Sequence, residues 1–180
     1  MIWFQASVGA VTIALTGTGG YQRLSADEQD YATAGAGIGV MLPLGFTHGL
    51  GAEYSYLHGF GLKSGDEPHS SSEISLAYRN YLGNRPTRRN SAKRVLPFLA
   101  VSPTLFIFNH RNVLPGFELQ LGIDILFRNG FVFADPVTYP VSHALKIPQI
   151  LTVAFKAGMY ADSDRRLYDV GLKIGTGVVF

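Results

Sequence analysis

The chain has 180 residues, enough for one domain with a full core rather than two. Hydrophobic residues make up 47% and charged residues 16%, below the roughly 25% of soluble domains, while Gly (21), Phe (12) and Tyr (9) run high. A scattered net charge of +2 gives nucleic acid no basic face, and the absence of cysteine excludes a disulfide framework, a thiol nucleophile and a thiolate metal site.

No stretch reads as a membrane helix. Residues 1–22 and 31–52 lack Lys, Arg, Asp and Glu, but Gly, Thr, Ser or Pro interrupt both. Residues 8–15 resemble the apolar core of a signal peptide without a basic segment ahead of them; the expectation is a mature chain from which an export signal has been removed.

Strand 1 is expected from Trp3 to Thr16. Phe4, Ala6 and Val8 share one parity and Val11, Ile13 and Leu15 the other, so a β-bulge at Gly9-Ala10 would put all six on one face. Residues 17–30 read as a polar loop. Strand 2, Tyr31 to Leu42, sets Ala32, Ala34, Ala36, Ile38, Val40 and Leu42 against Thr33, Gly35, Gly37, Gly39 and Met41. Its glycines do not form a nucleotide loop, since no helix follows and the G-x-G-x-x-G spacing is absent. Small residues facing a crowded interior account for them.

A turn at Pro43 to Gly45 leads into strand 3, about Thr47 to His58, with Leu50, Ala52, Tyr54 and Tyr56 opposite Gly49, Gly51, Glu53 and Ser55. Residues 61–72 form a second polar loop. Strand 4 follows to about Leu82, opposing Ile74, Leu76 and Tyr78 to Glu73, Ser75, Ala77 and Arg79, and Asn84 to Lys93 is a basic turn. Strand 5, Arg94 to Phe108, is apolar on both parities and carries Pro97 and Pro103, so its faces are not assignable from the pattern.

Strand 6 places Phe117, Leu119, Leu121, Ile123, Ile125 and Phe127 opposite Glu118, Gln120, Gly122, Asp124 and Arg128. Asn129-Gly130 is a hairpin signal. Phe131 and Phe133 nevertheless continue the parity of strand 6, and a barrel with both ends on one side of a membrane needs an even strand number. The reading is therefore one long kinked strand, then a turn from Asp135 to Lys146. Strand 7, Gln149 to Tyr160, points Leu151, Val153, Phe155, Ala157 and Met159 outward. Strand 8, Leu167 to Phe180, sets Tyr168, Val170, Leu172, Ile174, Thr176, Val178 and Phe180 against Asp169, Gly171, Lys173, Gly175, Gly177 and Val179. Eight strands are expected, with ten as the fallback.

The polar face is mostly Gly, Ala and Ser, whereas a water-facing β-surface favours Thr, Lys, Glu and Gln. An eight-stranded barrel interior has room for side chains only. The expected fold is all-β, a closed antiparallel up-and-down transmembrane β-barrel, over a soluble lipocalin-like barrel or a sandwich. Glu53, Glu73, Glu118, Asp124 and Asp169 would meet Arg79, Arg128, Lys156 and Lys173 in the lumen as a structural ion-pair network, led by Glu53 with Arg79. Tyr54, Tyr56, Tyr78, Phe117, Phe127, Phe155 and Tyr168 would face lipid, with Tyr160, near a strand end, grouped with them.

Gly49-Leu-Gly-Ala-Glu-Tyr-Ser-Tyr56 and the terminal Leu172-Lys-Ile-Gly-Thr-Gly-Val-Val-Phe180 carry a resemblance to the small eight-stranded outer-membrane barrels, the family of the OmpA membrane domain, OmpX and the opacity-type surface antigens. The resemblance implies a non-enzymatic, monomeric outer-membrane protein without cofactor or metal, giving envelope integrity or loop-mediated surface binding. Its implied partners are the lipid bilayer, lipopolysaccharide and the barrel-assembly machinery, for which Phe180 resembles the family's assembly signal. Loops at 17–30, 61–72, 109–114 and 161–166 would be extracellular, the first two with Asp27, Glu28, Asp30, Asp66 and Glu67. Three alternatives compete. A lipid-modifying hydrolase or acyltransferase would draw on His58, His69, Ser70 to Ser72 or Ser142-His143, though the His-x-Ser-Asn spacing of lipid A deacylases is absent. A metal could be shared by His58, His69 and His110. A narrow channel would have to conduct past the lumen charges.

Overall fold

Alternation of bulky apolar residues with small or polar ones favours extended chain whose two faces meet different surroundings. The structure, a computed structural model, describes residues 11–25, 28–44, 47–83, 95–109, 111–127 and 149–179. Eight strands follow in chain order: β1 (Thr12–Leu24), β2 (Gln29–Leu44), β3 (His48–Gly61), β4 (His69–Tyr81), β5 (Val95–Phe108), β6 (Asn112–Phe127), β7 (Gln149–Ala161) and β8 (Arg166–Val179). Each pairs antiparallel with the next, and β1 pairs with β8 to close the barrel. The register from Ala14 through Gly39, Glu53, Ser75, Thr104, Gly116, Tyr160 and Leu167 returns to Leu24, further along β1 than it began. Such a stagger tilts the strands by roughly 35–45° and leaves an interior that side chains fill.

The strand count matches the expectation of eight, but β1 runs further than expected. Among the described residues it spans Thr12–Leu24, continuing through Gly17-Thr18-Gly19-Gly20, so the first hairpin contracts to residues 25–28. Glycine here answers close packing: a Cβ on Gly20 would stand 2.3 Å from the Val170 carbonyl oxygen on β8. The second loop contracts to residues 62–68, turning at Gly65 with φ +103°. The third covers 109–111, with Asn109 at φ 48°, a left-handed conformation that asparagine tolerates. The fourth covers 162–165. These four hairpins form the far end of the barrel, and Thr12 and Val179 mark the terminal end. The segment before Val11 with its proposed bulge, the basic turn, the continuation of strand 6 through Phe131 and Phe133, and the 135–146 turn lie outside the described residues.

Strand β5 turns out to be regular. Leu96, Phe98, Ala100, Ser102, Thr104, Phe106 and Phe108 point inward, and Pro97 and Pro103 take outward places. Opposite Pro103 the β4–β5 ladder lapses between the Ser75–Thr104 and Tyr78–Val101 pairs, with the same register on either side. A missing N–H donor, rather than an inserted residue, has that effect.

The outward face is apolar all the way round. Among the described strand residues its only charges are Arg23, Asp30 and Arg166, all at the far end. On β8 the uncharged outward run extends from Tyr168 to Val178, matching the roughly 9–11 residues with which a tilted strand crosses hydrocarbon. Tyr54, Tyr56, Tyr78, Phe117, Phe127, Phe155 and Tyr168 all lie on this face and are 41–63% exposed. Tyr78 and Phe127 stand near the terminal end and Tyr168 near the far end; Tyr54 and Phe155 sit midway along their strands. Tyr160 departs from the expectation. It points inward and is fully buried, sharing the parity of Lys156.

Candidate functional site

The lumen is filled in layers, and the charges occupy the middle of it. Toward the terminal end Tyr81, Leu96, Phe98, Ala100 and Ala154 form an apolar cluster. Gly122 makes room for it, since a Cβ there would meet Phe98 Cζ at 2.7 Å. The Arg79 guanidinium lies over the Phe98 ring, 3.9 Å from its centroid. Arg79 Nη1 donates to Asp124 Oδ2 at 2.9 Å, Tyr81 donates to the same oxygen at 2.8 Å, and Thr152 Oγ1 donates to Oδ1 at 2.6 Å. Asp124 is thus a buried carboxylate with a cation and two hydroxyls, the satisfied state that burial demands. Nearby, Lys173 pairs with Glu53, which also accepts from Thr16 Oγ1 at 3.3 Å. A cavity of about 50 Å³ lies between these two pairs, lined by Thr16, Glu53, Arg79, Asp124, Thr152 and Lys173 among others, with room for ordered water.

The third group centres on Lys156, which is 2% exposed. Its Nζ stands 2.6 Å from Asp169, 3.2 Å from Glu73 and 3.7 Å from Glu118. Tyr160 donates to Glu73 at 3.4 Å, and Gln120 Nε2 donates to Glu118 at 2.5 Å. Beyond this group, Leu24, Tyr31, Leu57, Phe106, Phe108, Leu114, Tyr160 and Leu167 fill the far half of the lumen as an apolar plug. The His69 ring is part of that filling. It meets Tyr31 edge-on at 4.3 Å, stacks on Phe108 at 4.4 Å and shares a hydrogen bond with Gln22 at 3.2 Å.

The expected lead pair is not formed. Glu53 lies opposite Ser75 in the register and Arg79 opposite Gly49, so the two side chains leave adjacent strands at different levels. Glu53 takes Lys173 and Arg79 takes Asp124 instead. The structure brings Glu73, Glu118, Asp169 and Lys156 together, with carboxylates outnumbering the ammonium. Arg128 and Phe180 lie outside the described residues. Sequence reasoning missed Tyr160 and Gln22 as lumen groups, although counting parity from Lys156 places Tyr160 inside.

The histidine sets come apart. His58 faces outward, edge-on to Phe60 at 4.7 Å and opposite Ser70 across the β3–β4 pair, whereas His69 faces the lumen. One metal cannot take both through opposite sides of the wall. His110 and Ser142-His143 lie outside the described residues. At the far rim, Asp30 sits 2.5 Å from Lys63 and 4.0 Å from Arg23, and Lys63 Nζ donates to the Glu28 carbonyl at 2.8 Å. Asp30 holds the Lys63 ammonium above its ordinary pKa through their hydrogen bond. In the fourth hairpin the backbone N–H groups of Asp164 and Arg165 donate to Asp162 at 2.9 and 2.7 Å and push its carboxyl below the usual range.

No family model matches the sequence. No curated protein matches it either. Among solved structures the barrel is similar to Neisserial surface protein A (NspA), with a TM-score of 0.61 and 10% identity over 96% of this chain and 99% of that one. It is also similar to Ail, the attachment invasion locus protein of Yersinia pestis, with a TM-score of 0.49 and 9% identity over 96% and 99%. At such identities the likeness is one of architecture: the chain has the fold of the small eight-stranded outer-membrane β-barrels.

Proposed function

We propose that the chain is a non-enzymatic barrel of the bacterial outer membrane that contributes to envelope integrity and offers its far rim for surface contact. The observation that carries this reading is the pairing of an uncharged apolar belt around all eight strands with a lumen packed by ion pairs and an apolar plug. The belt suits lipid, and the packed lumen suits a rigid, non-conducting body. The contracted hairpins leave little loop to bind with, so the rim itself is the contact surface. Arg23, Lys63, Arg111, Arg165 and Arg166 are the rim cations that would meet the phosphates of lipopolysaccharide, in competition with the rim acids Glu28, Asp30, Asp66, Glu67, Asp162 and Asp164. NspA is described as a surface protein, which agrees with this placement. Assembly machinery reading Phe180 and a monomeric state complete the proposal.

The test is membrane fractionation of the chain expressed behind an added export signal, followed by refolding into detergent. Expected are recovery in the outer-membrane fraction and a heat-dependent shift in gel mobility. A cooperatively unfolding, detergent-free soluble monomer would refute the proposal. Among the described residues the hydrolase alternative keeps His58 opposite Ser70 on the outward face, while His69 and Ser71 are buried in the lumen. A serine nucleophile needs its base oriented by a third group, and Asp30, the acid on the outward strand face, is engaged by Lys63, Arg23 and Tyr21.

A further inference from the structure

Glu73, Glu118 and Asp169 are 7%, 4% and 0% exposed, and one carboxylate oxygen from each lies within 4.8 Å of the others. Among the described residues, Lys156 supplies the ammonium ion-paired with them. Three ionised carboxylates against one ammonium leave two negative charges uncompensated in a barrel interior, where such charge is costly. Two neutral groups point the same way. Gln120, 2% exposed, spends its amide Nε2 on Glu118, and among the described residues its Oε1 has no donor. Ser102, fully buried and directly opposite Glu118 in the β5–β6 register, has a hydroxyl without a partner among those residues. Gln120 is in turn the register neighbour of Lys156, so both buried side chains leave the wall on the inward face directly opposite a member of the charged group.

We propose that Glu73, Glu118 and Asp169, with Gln120 and Ser102 beside them, form a binding site for one divalent cation that prefers oxygen ligands, and that calcium fits it best. One such ion brings the group to neutrality. Calcium holds oxygens at about 2.3–2.6 Å and so touches ligands up to roughly 5 Å apart, which covers the 4.8 Å spread without moving the strands. Carboxylate, amide and hydroxyl oxygens are the donors calcium takes. The ion would enter on the Glu118 side, from which Lys156 Nζ stands farthest at 3.7 Å, with the ammonium keeping Asp169 at 2.6 Å.

The full chain refolded in detergent micelles is the material for the test. Calcium should raise Tm saturably, by roughly 5–10 °C at a hundred times its Kd, and EDTA should reverse the rise. Glu118→Gln should lose the response, while Asp66→Asn, at a loop carboxylate, should keep it. Should Glu118→Gln not refold, terbium luminescence reads the site in the unaltered protein. Emission sensitised by Tyr160, 3.4 Å from Glu73, should appear and be displaced by calcium, and Tyr160→Phe should lose it. A Tm that follows pH but not calcium would overturn the proposal and assign the neutralising charge to protons. A calcium response that survives Glu118→Gln, or terbium emission that survives Tyr160→Phe, would overturn it by placing the ion elsewhere.

Discussion

Lys156 shows at the scale of one residue why the lumen tolerates charge. Its ammonium is buried, and so are the carboxylates around it, so each depends on the other for its place. Lys156→Met leaves those carboxylates without their ion-pair partner, and breaking a buried pair in this way costs about 3–5 kcal/mol. The expected outcome is a loss of most folded protein at neutral pH, checked by the fraction showing heat-modifiable gel mobility. Recovery on acidification, which protonates the carboxylates, should follow. The Glu53 and Arg79 pairing gives a second prediction at this scale. A double-mutant cycle on Arg79 and Asp124 should show a coupling of about 1–3 kcal/mol, and one on Glu53 and Arg79 markedly less. Urea unfolding in micelles measures both, and equal couplings would contradict the register described above.

At the scale of elements, small residues on one strand are matched to large ones on the next. Gly59 on β3 is the sharpest case, because a Cβ there would stand 2.1 Å from Cε1 of His69, a ring already held between Tyr31 and Phe108. With no free side to move into, Gly59→Ala should destabilise the barrel by about 1–3 kcal/mol, read as a lower urea midpoint. The fourth hairpin depends on Asp162 instead. Its carboxylate is stabilised by two backbone N–H groups, so its contribution is present above the ordinary carboxylate pKa and fades as pH falls through the lowered one. The protection of the Asp164 and Arg165 amides against exchange, taken relative to the intrinsic rate at each pH, should fall on acidification, and Asp162→Ala should lower it already at neutral pH.

The same scale shows what could be read from the sequence. Parity assigned the faces of β3, β4, β6 and β8, because burial alternates with a period of two and the middle of each strand sets bulky apolar residues against small or charged ones, while Leu57, Tyr81, Leu114 and Leu167, toward the strand ends, turn inward into the apolar layers. Parity failed on β5, where both faces are apolar: one meets the outside of the barrel and the other the apolar layers within. Glycine misled at β1, since Gly17 to Gly20 carry the composition of a loop while serving close strand approach. Ion-pair partners were beyond reach. Lys173 and Glu53 stand on strands that are not neighbours, and only the stagger of the closed barrel brings them to one level.

For the whole molecule, the decisive property is that the outward face of the described strands is predominantly apolar and carries no Lys, Arg, Asp or Glu except at one rim. A soluble β-surface would accept an arginine at any outward position with little change. In a bilayer the cost depends on depth, about 2–4 kcal/mol at the midplane and roughly 0–1 near the interface. Leu121 lies near the middle of β6 and is 59% exposed; Val113, 51% exposed on the same face, lies at its far end. The two sites are alike in exposure and differ in position along the strand, so comparing them separates depth from burial. Leu121→Arg should reduce refolding into lipid vesicles by about 2–4 kcal/mol, and Val113→Arg by less than about 1. Equal small effects at both sites would remove the membrane reading. Equal large effects would show that the wall tolerates no arginine for packing reasons, which the outward exposure of both residues argues against.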